Sequence, residues 1–225
     1  MSDNPHVVVA MIAVSAFLLH LWWSDLRAAR AGTPNPRAFP GAVPCGRRTM
    51  LVAIAGMLVL LGLETGGEAV LGISAQQKTV TVLWSLYTLA AAFIEELAFR
   101  GYLVVAGRGR TMLWTSIGVF SVLFALAHPF LWEWQDGASC GHGVAFHLGH
   151  PLLWLREQGA LVLQFTPKGW FSTAIVFVCS LWLYALRFSP LNPGRSLLPC
   201  IAAHLAKNLG VFALKAAGGF VSGWY

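Results

Sequence analysis

Residues 90–103 read AAAFIEELAFRGYL, so that two adjacent glutamates, Glu95 and Glu96, and one arginine, Arg100, stand inside an otherwise apolar run. The flanks have the composition of a membrane span. An ionised carboxylate in hydrocarbon costs a few kcal/mol or more, and charges kept at such depth face a bundle interior and mark function. The stretch therefore raises the fold and the chemistry together.

The rest of the chain supports a membrane setting. Of 225 residues, 57% are hydrophobic and 11% charged, and the mean hydropathy is +0.66. A soluble domain carries about 25% charged residues. About 20 apolar residues suffice to cross a bilayer, and apolar runs fall near 7–23, 49–63, 80–106, 112–132, 170–188 and 197–217. These predict an all-α polytopic bundle of about six transmembrane helices, one domain over 1–225, with a long outer loop over 133–169. The second run is short and is expected to fill space or tilt little. The first lacks the basic flank of a cleaved signal peptide, since Arg27 and Arg30 follow it.

Charge sets orientation and excludes partners. The net charge is +6, yet the arginines form no basic face that would suit nucleic acid. They lie in alternate connections (Arg27, Arg30, Arg37, Arg47 and Arg48; then Arg108 and Arg110; then Arg187 and Arg195), as the positive-inside rule expects with both termini outside. The lipid bilayer is the expected partner. Cys45, Cys140, Cys179 and Cys200 have no paired spacing and read as small buried residues rather than a disulfide framework.

The connection 133–169 holds Cys140, His142, His147 and His150, a set that could bind zinc. An apolar stretch, GALVLQF (159–165), follows; the alternative is a partly ordered outer loop with an interfacial helix, its Trp132, Trp134 and Trp154 at headgroup level.

Three polar groups inside the spans carry the chemistry. On a helix Glu96 and Arg100 are i and i+4, stacked and of opposite charge, with the acid N-terminal. Glu95 points about 100° away and meets Phe99 at i+4. Glu96 thus reads as a support and Glu95 as an acid or base tuned by its apolar surroundings; a snorkelling Arg100 at the cytoplasmic surface is the alternative. In FALAHP (124–129), Phe124 can stack on His128, and Pro129 can kink the helix. In LPCIAAHLAKNL (198–209), His204 and Asn208 share a stripe, while Lys207 lies on another face. His204 and Asn208 could bind an oxygen anion or make interhelical contacts. His20 and Glu64 read as interfacial. Glu95 and His204 fall near mid-membrane, whereas His128 lies too far toward the outer face unless a Pro129 kink, a tilt or a later helix start corrects it.

E-E-x-x-x-R at 95–100, F-x-x-x-H at 124–128 and H-x-x-x-N at 204–208, with FRGYL and GRSLLPCIAAHLAKNL around them, resemble the CPBP family. These are the CAAX-prenyl-endopeptidase and bacteriocin-processing intramembrane proteases, also called Rce1-like. The resemblance covers roughly 85–212 and leaves the first span and 133–169 without a counterpart. It implies that Glu95 and His128 activate a water, that Glu96 and Arg100 support them, and that His204 and Asn208 hold the oxyanion. Two histidines and a carboxylate also allow zinc, but there is no H-E-x-x-H, and a cofactor-free glutamate mechanism is preferred.

The expected protein is therefore an endopeptidase of a prokaryotic cytoplasmic membrane. It would cut a membrane-anchored or lipid-proximal protein substrate, for instance at a C-terminal anchor or sorting helix, in preference to a CAAX end. A non-catalytic immunity or peptide-binding relative, and a transporter or proton relay, are the rivals. A set of polar residues converging on one point favours hydrolysis over a relay strung along the membrane normal.

Overall fold

The computed structural model describes residues 5–136, 145–146 and 159–225; Cys140, His142, His147, His150 and Trp154 lie outside them. Helices α1 (Pro5–Arg30), α2 (Arg47–Val70), α3 (Val82–Glu95), α4 (Arg110–Ala127), α5 (Pro167–Arg187) and α6 (Leu198–Ala217) form the bundle, and α3 continues as a π-helical segment, Glu96–Leu103. The stretches Pro5–Arg30, Arg47–Val70, Val82–Leu103, Arg110–Ala127 and Pro167–Arg187 are long and apolar enough to cross a membrane. The 20-residue α6 carries His204, Lys207, Asn208 and Lys215 and is not among those five. Large apolar side chains such as Phe17, Val59, Leu63 and Trp114 point outward and are more than half exposed, far more apolar surface than water tolerates. The fold is the expected all-α polytopic membrane bundle.

Local chemistry sets the helix ends. Thr81 and Thr166 accept the backbone N–H groups of Trp84 and Gly169 at 3.1 and 3.0 Å, capping α3 and α5. Further N–H groups at the start of α3 are met by chain-end carbonyls, with Leu83 N donating to Trp224 O at 3.0 Å and Val82 N to Gly223 O at 3.4 Å. Pro167 and Pro199 stand in the first turns of α5 and α6, where a missing N–H costs nothing. No kink occurs at Pro129: α4 ends at Ala127, because the residue before a proline is driven out of the α region, and His128 sits at φ −77°, ψ 133°.

The second span is longer than its apolar run, 24 residues rather than about 15. The helix continues through Glu64 and Glu68 because both acids are paired. Glu64 meets Lys207 of α6 at 2.7 Å, and Glu68 meets Lys168 of α5 and Gln77. Glu64 is thus a helix-packing residue rather than an interfacial one.

Helix α6 packs against α2, α3 and α5, while α1 lies on α3 and α4 on α5. One apolar core joins Trp22, Leu26, Phe93, Leu97, Leu197 and Ile201, and another joins Ala53, Met57, Cys179, Leu183, Cys200 and Ala203. Helix α6 contributes to both. Close approach needs glycine at two points: a methyl on Gly56 would overlap the Trp182 ring, and one on Gly210 would overlap Leu61. The α5–α6 turn is held by buried Asn192. Its amide nitrogen donates to Ser196 O at 2.9 Å and Leu186 O at 3.2 Å, and its oxygen accepts from Ser196 N at 2.9 Å.

The outer connection differs from expectation. Among its described residues there is no interfacial helix but a sheet: GALVL is a strand, β3 (Gly159–Leu163), central and antiparallel between β1 (Trp132–Asp136) and β2 (Ala145–Phe146). Trp132 pairs with Leu163 and Phe146 with Leu161. Neighbours on both edges pair its backbone, which outweighs the interfacial pull of its apolar side chains.

Asn192→Ala strips the partner from the buried Ser196 N–H. An unsatisfied buried donor costs about 1–3 kcal/mol, so the melting temperature in detergent should fall, whereas Ser189→Ala in the same turn should leave it nearly unchanged.

Candidate active site

Glu95 closes α3 and Glu96 opens the π-helical segment. Such turns are rare, are mostly short and are frequent at functional sites. Here two of its carbonyls take side-chain donors from α5: Tyr184 Oη donates to Phe99 O at 2.8 Å and Arg187 Nε to Arg100 O at 3.4 Å.

Glu96 and Arg100 form the expected pair, 3.2 Å apart, and both side chains are completely buried. Arg100 therefore does not snorkel. Its second terminal nitrogen donates to Ser180 Oγ at 2.7 Å, and Ser180 donates on to Ser121 Oγ at 3.0 Å. The guanidinium carbon lies 4.3 Å from the centre of the Phe124 ring and 4.9 Å from that of Tyr184, so aromatic faces add to the stabilisation of the cation.

The same oxygen of Glu96 that meets Arg100 also accepts from His204 Nδ1 at 2.9 Å. This leaves Nε2 of His204 facing Glu95, whose nearer oxygen is 3.7 Å away, a gap that one water can bridge. The Glu95 side chain is 31% exposed while that of Glu96 is at 0%, so only Glu95 can meet a substrate. His128 donates from Nδ1 to Phe124 O at 2.8 Å, which leaves Nε2 as its free lone pair. The Phe124 ring lies against both histidines, 4.8 Å from the His128 ring and 6.2 Å from that of His204. His128 also lies within electrostatic reach of Glu95 and His204. Neither a kink nor a late start of α4 achieves this; α4 starts at Arg110, earlier than expected, and His128 stands just past its end.

Asn208 follows His204 by one helical turn. Its amide donates to Thr88 O on α3 at 2.9 Å, leaving one N–H of the two. The His204–Glu96 bond and the roles of Ser121, Ser180, Tyr184 and Arg187 escaped the sequence reading. The signal was present in SLWLYALR, where Ser180, Tyr184 and Arg187 recur at i, i+4 and i+7 of an apolar span.

Two imidazoles and a carboxylate are the donor types of an open zinc site. Each ring has Nδ1 bonded within the protein and Nε2 left over, the arrangement that metal-binding histidines also adopt, but among the described residues no three histidine, cysteine, aspartate or glutamate side chains are gathered as metal ligands. No step below runs through a metal. The cluster Cys140, His142, His147 and His150 lies outside the described residues.

Comparison with known proteins places this arrangement in a context. The model of the family described as type II CAAX prenyl endopeptidase Rce1-like matches residues 77–210. No curated protein and no solved structure matches the chain.

The two glutamates should respond differently to neutralisation. Arg100→Met leaves Glu96 buried against His204 alone and should cost about 3–5 kcal/mol, the usual penalty for breaking a buried pair. Glu96→Gln should likewise reduce the yield of monodisperse protein in detergent, and Glu95→Gln should not. Equal yields for the two glutamate variants would contradict the division between them.

Proposed function

Since the chain belongs to the type II CAAX prenyl endopeptidase Rce1-like family, whose match covers more than half of it, we propose that it is an intramembrane endopeptidase of the glutamate type. Its substrate is a membrane-anchored or lipid-proximal protein, cut near a C-terminal anchor or sorting segment. Its setting is a prokaryotic cytoplasmic membrane, and it needs no metal.

The observation that carries this proposal is a histidine held between two unlike glutamates. His204 is fixed through Nδ1 by buried Glu96 and presents Nε2 toward partly exposed Glu95. Peptide hydrolysis requires a base for water and donors where charge grows on the carbonyl oxygen. Glu95 takes a proton from a water placed between it and the scissile carbonyl, and the water oxygen attacks the carbonyl carbon. His128, its ring fixed through Nδ1, presents Nε2 as the second group on that water. His204, bonded through Nδ1 to Glu96, donates from Nε2 to the developing oxyanion, a role that needs hydrogen on both ring nitrogens. The remaining N–H of Asn208 is the second donor. When the C–N bond breaks, the proton held by Glu95 passes to the leaving amine.

The expectation that a C-terminal anchor is preferred over a CAAX end stands beside the family's printed description, and two probes separate them. One is an internally quenched farnesylated CAAX peptide; the other is a reporter ending in a transmembrane helix. Purified protein in bilayer nanodiscs should cut one of them. Glu95→Gln and His128→Ala should abolish the cut, and His204→Ala should slow it about 100- to 1,000-fold, the loss typical of one oxyanion donor. If all three variants fold and cut as the wild type does, the peptidase assignment fails, and the peptide-binding relative takes its place. Zinc at one per chain that disappears in Glu95→Ala would overturn the metal-free mechanism.

A further inference from the structure

The peptidase site proposed above relies on a helical segment of unusual geometry, and the groups that hold it there lie on another helix. A π-helical turn carries one more residue than an α-helical turn, so relaxation to α geometry would rotate every following residue. In Glu96–Leu103 that rotation would carry Arg100 off Ser180 and off the Phe124 and Tyr184 rings, the contacts on α4 and α5 that hold the guanidinium and, with it, the Glu96 carboxylate that fixes His204. Two α5 side chains oppose the relaxation. Tyr184, fully buried, donates to Phe99 O, and Arg187, 8% exposed, donates to Arg100 O. Successive carbonyls at the middle of the segment are thus bonded across to α5.

Both anchors are themselves confined. The Tyr184 ring lies under the Arg100 guanidinium. Arg187 lies against the backbone of the α1–α2 connection at Gly41, where a Cβ would come within 2.7 Å of its Nη1 and 2.8 Å of Leu197 N. Gly41 has φ +65° and accepts Leu197 N at 3.0 Å, so the residue is glycine both for its backbone angle and for the room it leaves. Neither Tyr184 nor Arg187 is bonded to Glu95, His128 or His204.

We propose that Tyr184 and Arg187 are positioning residues. They hold the π-helical turn that aims Glu96 at His204, and so set the rate of the chemical step without touching the substrate. This rests on the peptidase assignment for its kinetic part only.

The test uses the full chain in nanodiscs, with whichever of the two probes the wild type cuts, and ¹⁵N-histidine NMR as a readout independent of activity. Tyr184→Phe keeps the ring and removes the donor; Arg187→Met removes the donor, and Arg187→Lys retains a cation. For Tyr184→Phe and Arg187→Met, kcat should fall about 10- to 100-fold, the range that small misplacements of reacting groups produce, with KM within about twofold. The His204 Nδ1–H resonance, identified by its loss in His204→Ala, should move in both, and Arg187→Lys should recover part of each effect. An unmoved resonance in folded variants overturns the proposal whether or not the wild type is active. Equal losses in kcat and rises in KM, with the resonance in place, overturn it too. A moved resonance in a protein that cuts neither probe supports the positioning role and rejects the peptidase assignment.

Discussion

One carboxylate oxygen organises this protein. Oε1 of Glu96 meets both Arg100 and His204 at zero solvent exposure, and a buried carboxylate is tolerable only with such partners. The two partners come from different directions, one from the next turn of the same helix and one from α6. Arg100 is in turn bonded to Ser180 on α5, and Ser180 to Ser121 on α4. Meeting the needs of this one group therefore registers α3, α4, α5 and α6 against one another. A buried ion pair adds little net stability over an apolar alternative, but breaking it is costly.

A second polar layer treats charge differently. Glu64 with Lys207, and Glu68 with Lys168 and Gln77, tie α2 to α6, to α5 and to the turn before α3. These acids and bases are matched among themselves, which is why α2 runs helical well past its apolar stretch. Around Glu95 the polar groups are not all engaged. Glu95 is partly exposed and His204 Nε2 stops 3.7 Å short of it, so both keep capacity for a water or a carbonyl oxygen. The contrast is between polar groups that satisfy one another and polar groups with bonding capacity left over within the same bundle.

The sheet of the outer connection shows where pattern reading misleads. GALVLQF is too short for its periodicity to distinguish helix from strand, and its identity as β3 depends on β1 and β2 lying alongside it. Pro129 misled in a related way. It implied a kink inside a continuing helix, but α4 ends before it, and His128 is oriented by Phe124.

Sequence alone determined that the chain is a membrane bundle, because apolar runs of spanning length leave few other options. It also determined that Glu96 pairs with Arg100, because i, i+4 proximity is a property of any helix. It marked Glu95, His128, His204 and Asn208 as out of place in hydrocarbon, and so as residues with a task. Only the tertiary structure decided that His204 is held by Glu96, that Asn208 reaches Thr88 on α3, and that Ser180, Tyr184 and Arg187 surround the Arg100 turn. The physical reason is separation along the chain. Glu96 and His204 are 108 residues apart, and no local propensity or periodicity specifies which faces of distant helices meet. That depends on packing and on which buried polar groups must find partners.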